Sequence, residues 1–83
     1  MTDTVKMYTL STCSHCKAAK KFIEECAVVY EFTDVDLLAA QERQSVLDEI
    51  RKYNPACSFP TILIGDTVII GFNESAIREA LGL

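Results

Sequence analysis

The spacing of apolar residues changes several times along the chain, and each change predicts a boundary between secondary-structure elements. Residues 5–10 form a short apolar run that is typical of a buried strand. From residue 16 the apolar positions follow a helical step of about 100° per residue. One face of this helix is apolar and carries Cys16, Ala19, Phe22, Ile23 and Cys26. The opposite face is charged and carries Lys17, Lys20, Lys21, Glu24 and Glu25. A strand followed by an amphipathic helix is therefore predicted.

The rest of the chain repeats this change between strand and helix spacing. Its predicted elements are, in order, a strand at residues 28–36, a helix at 38–53, strands at 61–64 and 67–70, and a last helix between Asn73 and Gly82. A Gly-Asp pair joins the last two strands and is typical of a hairpin. Asn73 is a good N-cap residue and Gly82 a good helix terminator. The order β-α-β-α-β-β-α begins with a βαβ unit, whose right-handed crossover makes its two strands parallel.

Two cysteines lie where the first strand gives way to the first helix, in a Cys-Ser-His-Cys sequence at residues 13–16. A CxxC pair that opens the helix of a βαβ unit is typical of thioredoxin-like redox proteins. With Ser11 or Thr12 as N-cap, Cys13 would lie in the first helical turn, where free N–H groups and the helix dipole favour a thiolate. Cys16 lies on the apolar face. We therefore predict that Cys13 is the nucleophile of a thiol-disulfide exchange and that Cys16 is the resolving thiol.

Size and composition exclude several classes of protein. The 83 residues, 49% of them hydrophobic, suffice for one core, so we expect residues 1–83 to form one domain. The N-terminus is polar and no apolar run approaches the length of a membrane span, so a cytoplasmic location with largely reduced thiols is expected. The net charge of −4 argues against nonspecific nucleic-acid binding. We expect a monomer that binds neither nucleic acid nor membrane.

Three motifs together resemble the glutaredoxin family, within the thioredoxin-fold superfamily. They are Cys-Ser-His-Cys after the first strand, Ser-Phe-Pro-Thr at residues 58–61 and Gly-Phe-Asn at residues 71–73. The resemblance covers nearly the whole chain and implies an α/β thioredoxin fold with a four-stranded mixed sheet in the order 2-1-3-4. It also implies that the first and third helices cover one face of the sheet and the second helix the other, and that the Phe59-Pro60 bond is cis.

The resemblance also implies a function and a binding surface. A glutaredoxin is a dithiol-disulfide oxidoreductase that reduces protein disulfides or glutathione mixed disulfides, with no bound cofactor or metal. Glutathione, as co-substrate, or a flavoprotein thioredoxin reductase recharges the oxidised pair. The backbone before the cis proline pairs with the extended substrate chain. The implied substrate- and glutathione-binding residues are Arg51, Lys52, Ser58, Phe59, Pro60, Gly71, Phe72, Asn73 and Glu74.

Two stretches depart from the pattern of glutaredoxins that use glutathione. Those proteins typically carry a lysine shortly before the first cysteine and a Gly-Gly or Gly-x-Asp-Asp head on the last helix. This chain has Leu-Ser-Thr at residues 10–12 and Gly-Phe-Asn-Glu at residues 71–74. The Gly-Phe pair resembles the glutaredoxin-like donors of ribonucleotide reductase, which thioredoxin reductase recharges. Arg51, Lys52 and the helix terminus at Asn73 favour glutathione instead, because cations and helix N-termini both bind carboxylates. The sequence therefore does not decide between glutathione and thioredoxin reductase as the electron donor.

Several residues have more than one possible role. His15 could tune the thiolate of Cys13 by charge or hydrogen bonding, or it could be a plain exposed histidine. Cys57 could be a third thiol or an accessory metal ligand, or a small residue that fills a loop, and Cys26 is interpreted as a small core residue.

The rival function is an iron-sulfur carrier, since some glutaredoxins hold a [2Fe-2S] cluster across a dimer with the first cysteine of each subunit and two glutathiones.

Overall fold

The computed structural model describes residues 4–82 and shows the predicted order of strands and helices. The elements are β1 (Val5–Thr9), α1 (Ser14–Glu25), β2 (Tyr30–Asp34), α2 (Ala40–Tyr53), β3 (Thr61–Ile64), β4 (Thr67–Ile70) and α3 (Glu74–Leu81). A single turn of 3-10 helix, Val35–Leu37, connects β2 to α2.

The four strands form one mixed sheet in the order β2-β1-β3-β4, which confirms the expected thioredoxin fold. β1 and β2 are parallel, whereas β1 with β3 and β3 with β4 are antiparallel. The parallel pair is the βαβ unit, and the antiparallel pair β3 and β4 is the hairpin predicted from the Gly-Asp sequence.

Each face of the sheet has its own core, whereas composition predicted a single core, because helices pack against both faces, as the family resemblance implied. The core under α1 and α3 consists of Val5, Met7, Ala19, Ile23, Ile62, Ile64, Ile69 and Ile77. The core under α2 consists of Tyr8, Val35 and Ile50, with partly buried side chains packed around them. Successive residues of β1, such as Met7 and Tyr8, enter opposite cores because side chains alternate along a strand. Within residues 4–82, no helix has the length and apolar character needed to cross a membrane.

The strand register brings four chain segments to one edge of the sheet. Thr9 at the end of β1 is paired with Asp34 at the end of β2, and Tyr8 is paired with Thr61 at the start of β3. Thr61 is in turn paired with Ile70 at the end of β4. The segments that continue from these positions therefore meet at this edge. We call it the dithiol edge, formed by residues 10–16, 34–36, 58–60 and 71–74.

The ends of several elements differ from the predicted ones. The second strand is shorter than the predicted 28–36, and the second helix begins at Ala40 because Leu38 and Ala39, after the 3-10 turn, have extended backbones. Asn73 caps α3 and Gly82 ends it with a left-handed φ of 77°, both as predicted. The Phe59-Pro60 bond is cis, which confirms the expectation from the family resemblance.

Candidate active site

Cys13 is the N-cap of α1, which corrects the prediction that Ser11 or Thr12 would cap this helix. Its backbone is extended, with φ −83° and ψ 122°, and the Cys16 N–H donates to its sulfur at 3.4 Å. A turn moves the helix start, since the Cys13 N–H donates to the carbonyl of Leu10 at 3.2 Å and the Ser11 hydroxyl is engaged elsewhere. The sulfur itself, rather than a neighbouring hydroxyl, therefore accepts from the first turn of the helix.

The two thiols of the pair have opposite acid-base properties. Hydrogen bonds from the Cys16 thiol, and then from the backbone N–H groups of Cys16 and His15, hold the pKa of Cys13 below its ordinary value, although desolvation opposes them. Cys16 is fully buried, and burial raises the pKa of its thiol to about 11. Cys13 is only half-buried. The first thiol therefore ionises more readily and is open to reagents, whereas the second is protected and protonated.

Limiting iodoacetamide should label Cys13 before Cys16, because the thiolate is the reactive form. Since the pKa of Cys13 is lowered, half-maximal labelling should occur at a lower pH than for an ordinary thiol. Cys16 should need a pH near 11, or unfolding, to react. Peptide mass spectrometry after brief exposure measures the order. Preferential labelling of Cys16 would contradict the assigned roles.

The cis-proline loop lies beside the dithiol and is held there by Asn54. Because Thr61 is paired with Tyr8, the preceding Pro60 lies beside the end of β1, where the chain leaves for Cys13. The Asn54 side chain is buried, and its Nδ2 donates to the carbonyl of Ser58 at 3.2 Å, to its hydroxyl at 2.9 Å and to the Thr61 hydroxyl at 3.2 Å. The sequence indicated only a helix stop at Asn54. No local pattern signals its second role.

The predicted binding residues at the head of α3 also reach the dithiol edge. The Gly71 N–H donates to the carbonyl of Pro60 at 2.8 Å, with a φ of 83° that favours glycine. Phe72 packs edge-on against Phe22 of α1, with ring centres 5.9 Å apart. The Asn73 side-chain oxygen accepts from its own helix, at 3.1 Å from the Ala76 nitrogen. This head is thus tied both to the cis-proline loop and to the helix of the CxxC pair.

The predicted basic pair, Arg51 and Lys52, lies in the last turn of α2. Both side chains are exposed, and Arg51 is 3.3 Å from Asp48 of the same helix. Neither residue lines the cavity at the dithiol edge. That cavity has a volume of about 260 Å³ and is lined by Leu10, Val35, Asp36, Arg43, Leu47 and Phe59.

Arg43 is the basic residue of this cavity, and sequence reasoning missed it. Its guanidinium donates to the Leu38 carbonyl at 3.0 Å from the first turns of α2. In the sequence it is one of several charged positions on the polar face of that helix, so only the fold distinguishes it from Arg51.

The remaining candidates are His15, Cys57 and Cys26. His15 is exposed, and its imidazole forms no hydrogen bond within residues 4–82. Cys57 lies in a turn with φ 52°, and its sulfur packs into the core under α2, 4.0 Å from the Leu47 carbonyl. Cys26 caps the far end of α1 and is partly exposed. Among the described residues, no group of three or more histidines, cysteines and carboxylates is placed to hold a metal ion.

A CxxC pair at the start of a helix, beside a cis-proline loop on a thioredoxin fold, defines a thioredoxin-fold dithiol protein. A sequence profile of the family described as Glutaredoxin matches residues 5–69. The chain therefore belongs to the glutaredoxin family, as the motifs indicated.

Proteins from archaea and bacteria are similar to this chain. The crystal structure of methanoredoxin from Methanosarcina acetivorans superposes with a TM-score of 0.93 at 40% identity, over 98% of this chain and 86% of that one. A glutaredoxin from Methanosarcina mazei gives a TM-score of 0.89 at 39% identity, over 100% and 84% of the two chains. An uncharacterised glutaredoxin-like 8.6 kDa protein of a rubredoxin operon in Clostridium pasteurianum is 27% identical over 77 residues, which are 93% of this chain and 96% of that protein.

Proposed function

We propose that this glutaredoxin-family chain is a dithiol-disulfide oxidoreductase, with Cys13 as nucleophile and Cys16 as resolving thiol. The observation that supports this proposal is the asymmetry of the pair. One sulfur is accessible and caps a helix, where its thiolate is stabilised, while the other is fully buried. A pair of structural thiols would need no such difference. An exchange reaction needs it, because one sulfur must react with outside disulfides and the other only with its neighbour.

The proposed reaction has two steps. The Cys13 thiolate attacks one sulfur of the substrate disulfide, so that a mixed disulfide forms and the other substrate sulfur leaves as a thiolate that takes up a proton. Cys16 then loses its proton and attacks the Cys13 sulfur. The disulfide between Cys13 and Cys16 forms as the bond from Cys13 to the substrate breaks. Two electrons have then passed from the dithiol to the substrate.

The substrate chain is proposed to bind along the cis-proline loop. The carbonyl of Ser58 already accepts from the Thr61 hydroxyl at 2.8 Å and from Asn54. The backbone of Phe59, by contrast, forms no hydrogen bond with the other described residues, 4–82. Its N–H and C=O are therefore free to pair with an extended peptide next to Cys13. Substrates of this site would be disulfides in extended, accessible segments.

The proposed electron donor is a flavoprotein reductase of the thioredoxin reductase kind rather than glutathione. Glutathione carries two carboxylates, and tight binding would require a cationic or N–H partner for each. Arg51 is paired with Asp48, and the Glu74 carboxylate lies in the first turn of α3, where it competes with an incoming anion. The segment at residues 10–12 carries no cation. Arg43 is then the one basic side chain that lines the adjacent cavity.

An NADPH-coupled assay with a disulfide substrate tests both the reaction and its donor. Turnover is expected with thioredoxin reductase and not with glutathione plus glutathione reductase. In a matched pair of variants, Glu74→Gln should raise the glutathione-dependent rate, because it removes the competing carboxylate. Glu79→Gln, at the other end of the same helix, should leave that rate unchanged. Turnover only with glutathione would overturn the donor proposal, and activity with neither donor would contradict the reaction and favour the iron-sulfur alternative.

A further inference from the structure

Lys20 does not lie in the exposed row of lysines that the helical pattern predicted. Its ammonium is 3.1 Å from a carboxylate oxygen of Asp34 and 3.9 Å from the centre of the Phe32 ring. The side chains of this ion pair are 19% and 16% exposed. Lys17 and Lys21 do face solvent, as predicted. Lys20 therefore carries a charge that is fixed in position and partly shielded from water.

This charge lies one helical turn from the buried thiol of the active site. Cys16 and Lys20 are four residues apart on α1, so their side chains share one side of the helix, with Cβ atoms about 5–6 Å apart. From the sheet, the Leu10 N–H donates to the Cys16 sulfur at 3.5 Å. The preceding residue, Thr9, donates its hydroxyl to Asp34 at 2.6 Å. The ion pair and the thiol are thus connected both along the helix and across the end of β1.

Few charges act on this thiol, and they have different signs. Cys13 and Lys20, both on α1, act on it directly. Asp34 at the end of β2 is paired with Lys20, and Asp36 lies on the following turn. Asp36 is engaged by the N–H and hydroxyl of Ser11. Burial raises the pKa of Cys16, and the charge of Lys20 acts in the opposite direction. The lysine is the one cation within this group.

We propose that Lys20, held in place by Asp34, is a positioning residue of the second step, in which its ammonium stabilises the attacking Cys16 thiolate. This inference rests on the proposed exchange reaction. In that step Cys16 gives up its proton to water, attacks the Cys13 sulfur and displaces the second substrate sulfur, so negative charge develops inside the protein. A cation nearby lowers the free energy of that charge, most strongly where little water is present. The Asp34 carboxylate orients the Lys20 ammonium and partly neutralises its charge.

The two members of the pair should therefore have opposite effects on the second step. Lys20→Met removes the cation and should slow the attack by Cys16 about threefold to tenfold at neutral pH, because each pKa unit changes the thiolate fraction tenfold. Lys20→Arg retains the charge and should restore most of the rate. Asp34→Asn keeps a similar shape but leaves the lysine charge uncompensated, so it should speed the step. An ion pair with only a structural role predicts that Lys20→Met and Asp34→Asn change the rate in the same direction.

A substoichiometric pulse of dithiobis-nitrobenzoate separates the two steps. Attack by Cys13 releases one coloured thiolate and leaves the mixed disulfide, and attack by Cys16 then releases a second one in a unimolecular phase. Stopped-flow absorbance gives both rates, and Cys16→Ser, which should release only the first, identifies the second phase. The pH profile of the second phase should move to higher pH in Lys20→Met and to lower pH in Asp34→Asn, while the first phase changes less than twofold.

The outcomes distinguish this inference from the reaction itself. Absence of the second release in the unaltered protein would contradict the proposed function. The role of Lys20 would be overturned if the second phase were equally fast in Lys20→Met, or if Lys20→Met and Asp34→Asn slowed it alike. The proposed exchange reaction would stand in either case.

Discussion

Replacing Cys13 by serine is expected to abolish disulfide reduction with either electron donor. A serine hydroxyl at the same N-cap position keeps the capping hydrogen bond from the Cys16 N–H, so the helix should still form. A hydroxyl does not ionise near neutral pH, however, and it cannot form the mixed disulfide. The measured quantity is turnover in the NADPH-coupled assay, which should fall below detection while the unfolding midpoint changes little.

Cys16→Ser provides the matched control for this variant. Its Cys13 still attacks, but no resolving thiol follows, so the protein should stop after one exchange as a stable mixed disulfide with the substrate. Intact mass spectrometry should then show the protein plus one substrate half, which should be absent from Cys13→Ser. Trapping of the substrate on Cys16 in the Cys13→Ser variant would reverse the assigned roles.

Asn54→Ala should be among the most destabilising single substitutions outside the apolar core. Asn54 is 2% exposed, the two N–H groups of its amide are shared among three oxygens of Ser58 and Thr61, and its oxygen accepts from the Ala56 N–H at 3.2 Å. Loss of these bonds leaves buried polar groups without partners, so the free energy of unfolding should fall by about 2–4 kcal/mol. Urea unfolding at constant m-value measures this change.

Ser58→Ala is the control for Asn54→Ala, because it removes one partner of the amide from an exposed position. It should lower the free energy of unfolding by about 0.5–1.5 kcal/mol, the net value of one hydrogen bond. Asn54→Ala should also raise KM for protein disulfides, since the loop it holds is the proposed binding surface. Equal stabilities of the two variants would show that Asn54 does not hold the loop.

The features that were predictable from the sequence depend on residues close together in the chain. The hairpin follows from a Gly-Asp pair between two apolar runs, and both ends of α3 follow from the capping properties of Asn73 and Gly82. The placement of α1 and α2 on opposite faces follows from the handedness of the crossover together with the family resemblance. The sheet order and the cis-proline bond came from the resemblance alone.

The features that were not predictable depend on contacts between distant segments. Ser11 is a good N-cap residue by type, but its hydroxyl bonds to Asp36, 25 residues away, and Cys13 takes its place. Lys20 belongs to the polar face of α1 by spacing, yet Asp34, 14 residues away, draws it against the sheet. In both cases the partner is fixed only once β1 and β2 are paired. Arg43 likewise shares its cavity with residues of distant segments, Leu10 and Phe59, which the sequence does not bring together.

The most direct test of the proposed reaction is to oxidise the reduced protein with a disulfide substrate and to map the resulting disulfide by peptide mass spectrometry. We expect one disulfide, between Cys13 and Cys16, with Cys26 and Cys57 still free for alkylation. The released substrate thiols should number two for each protein oxidised. A link between Cys13 and Cys57, or substrate reduction without any link between Cys13 and Cys16, would contradict the central claim that these two thiols carry the reaction.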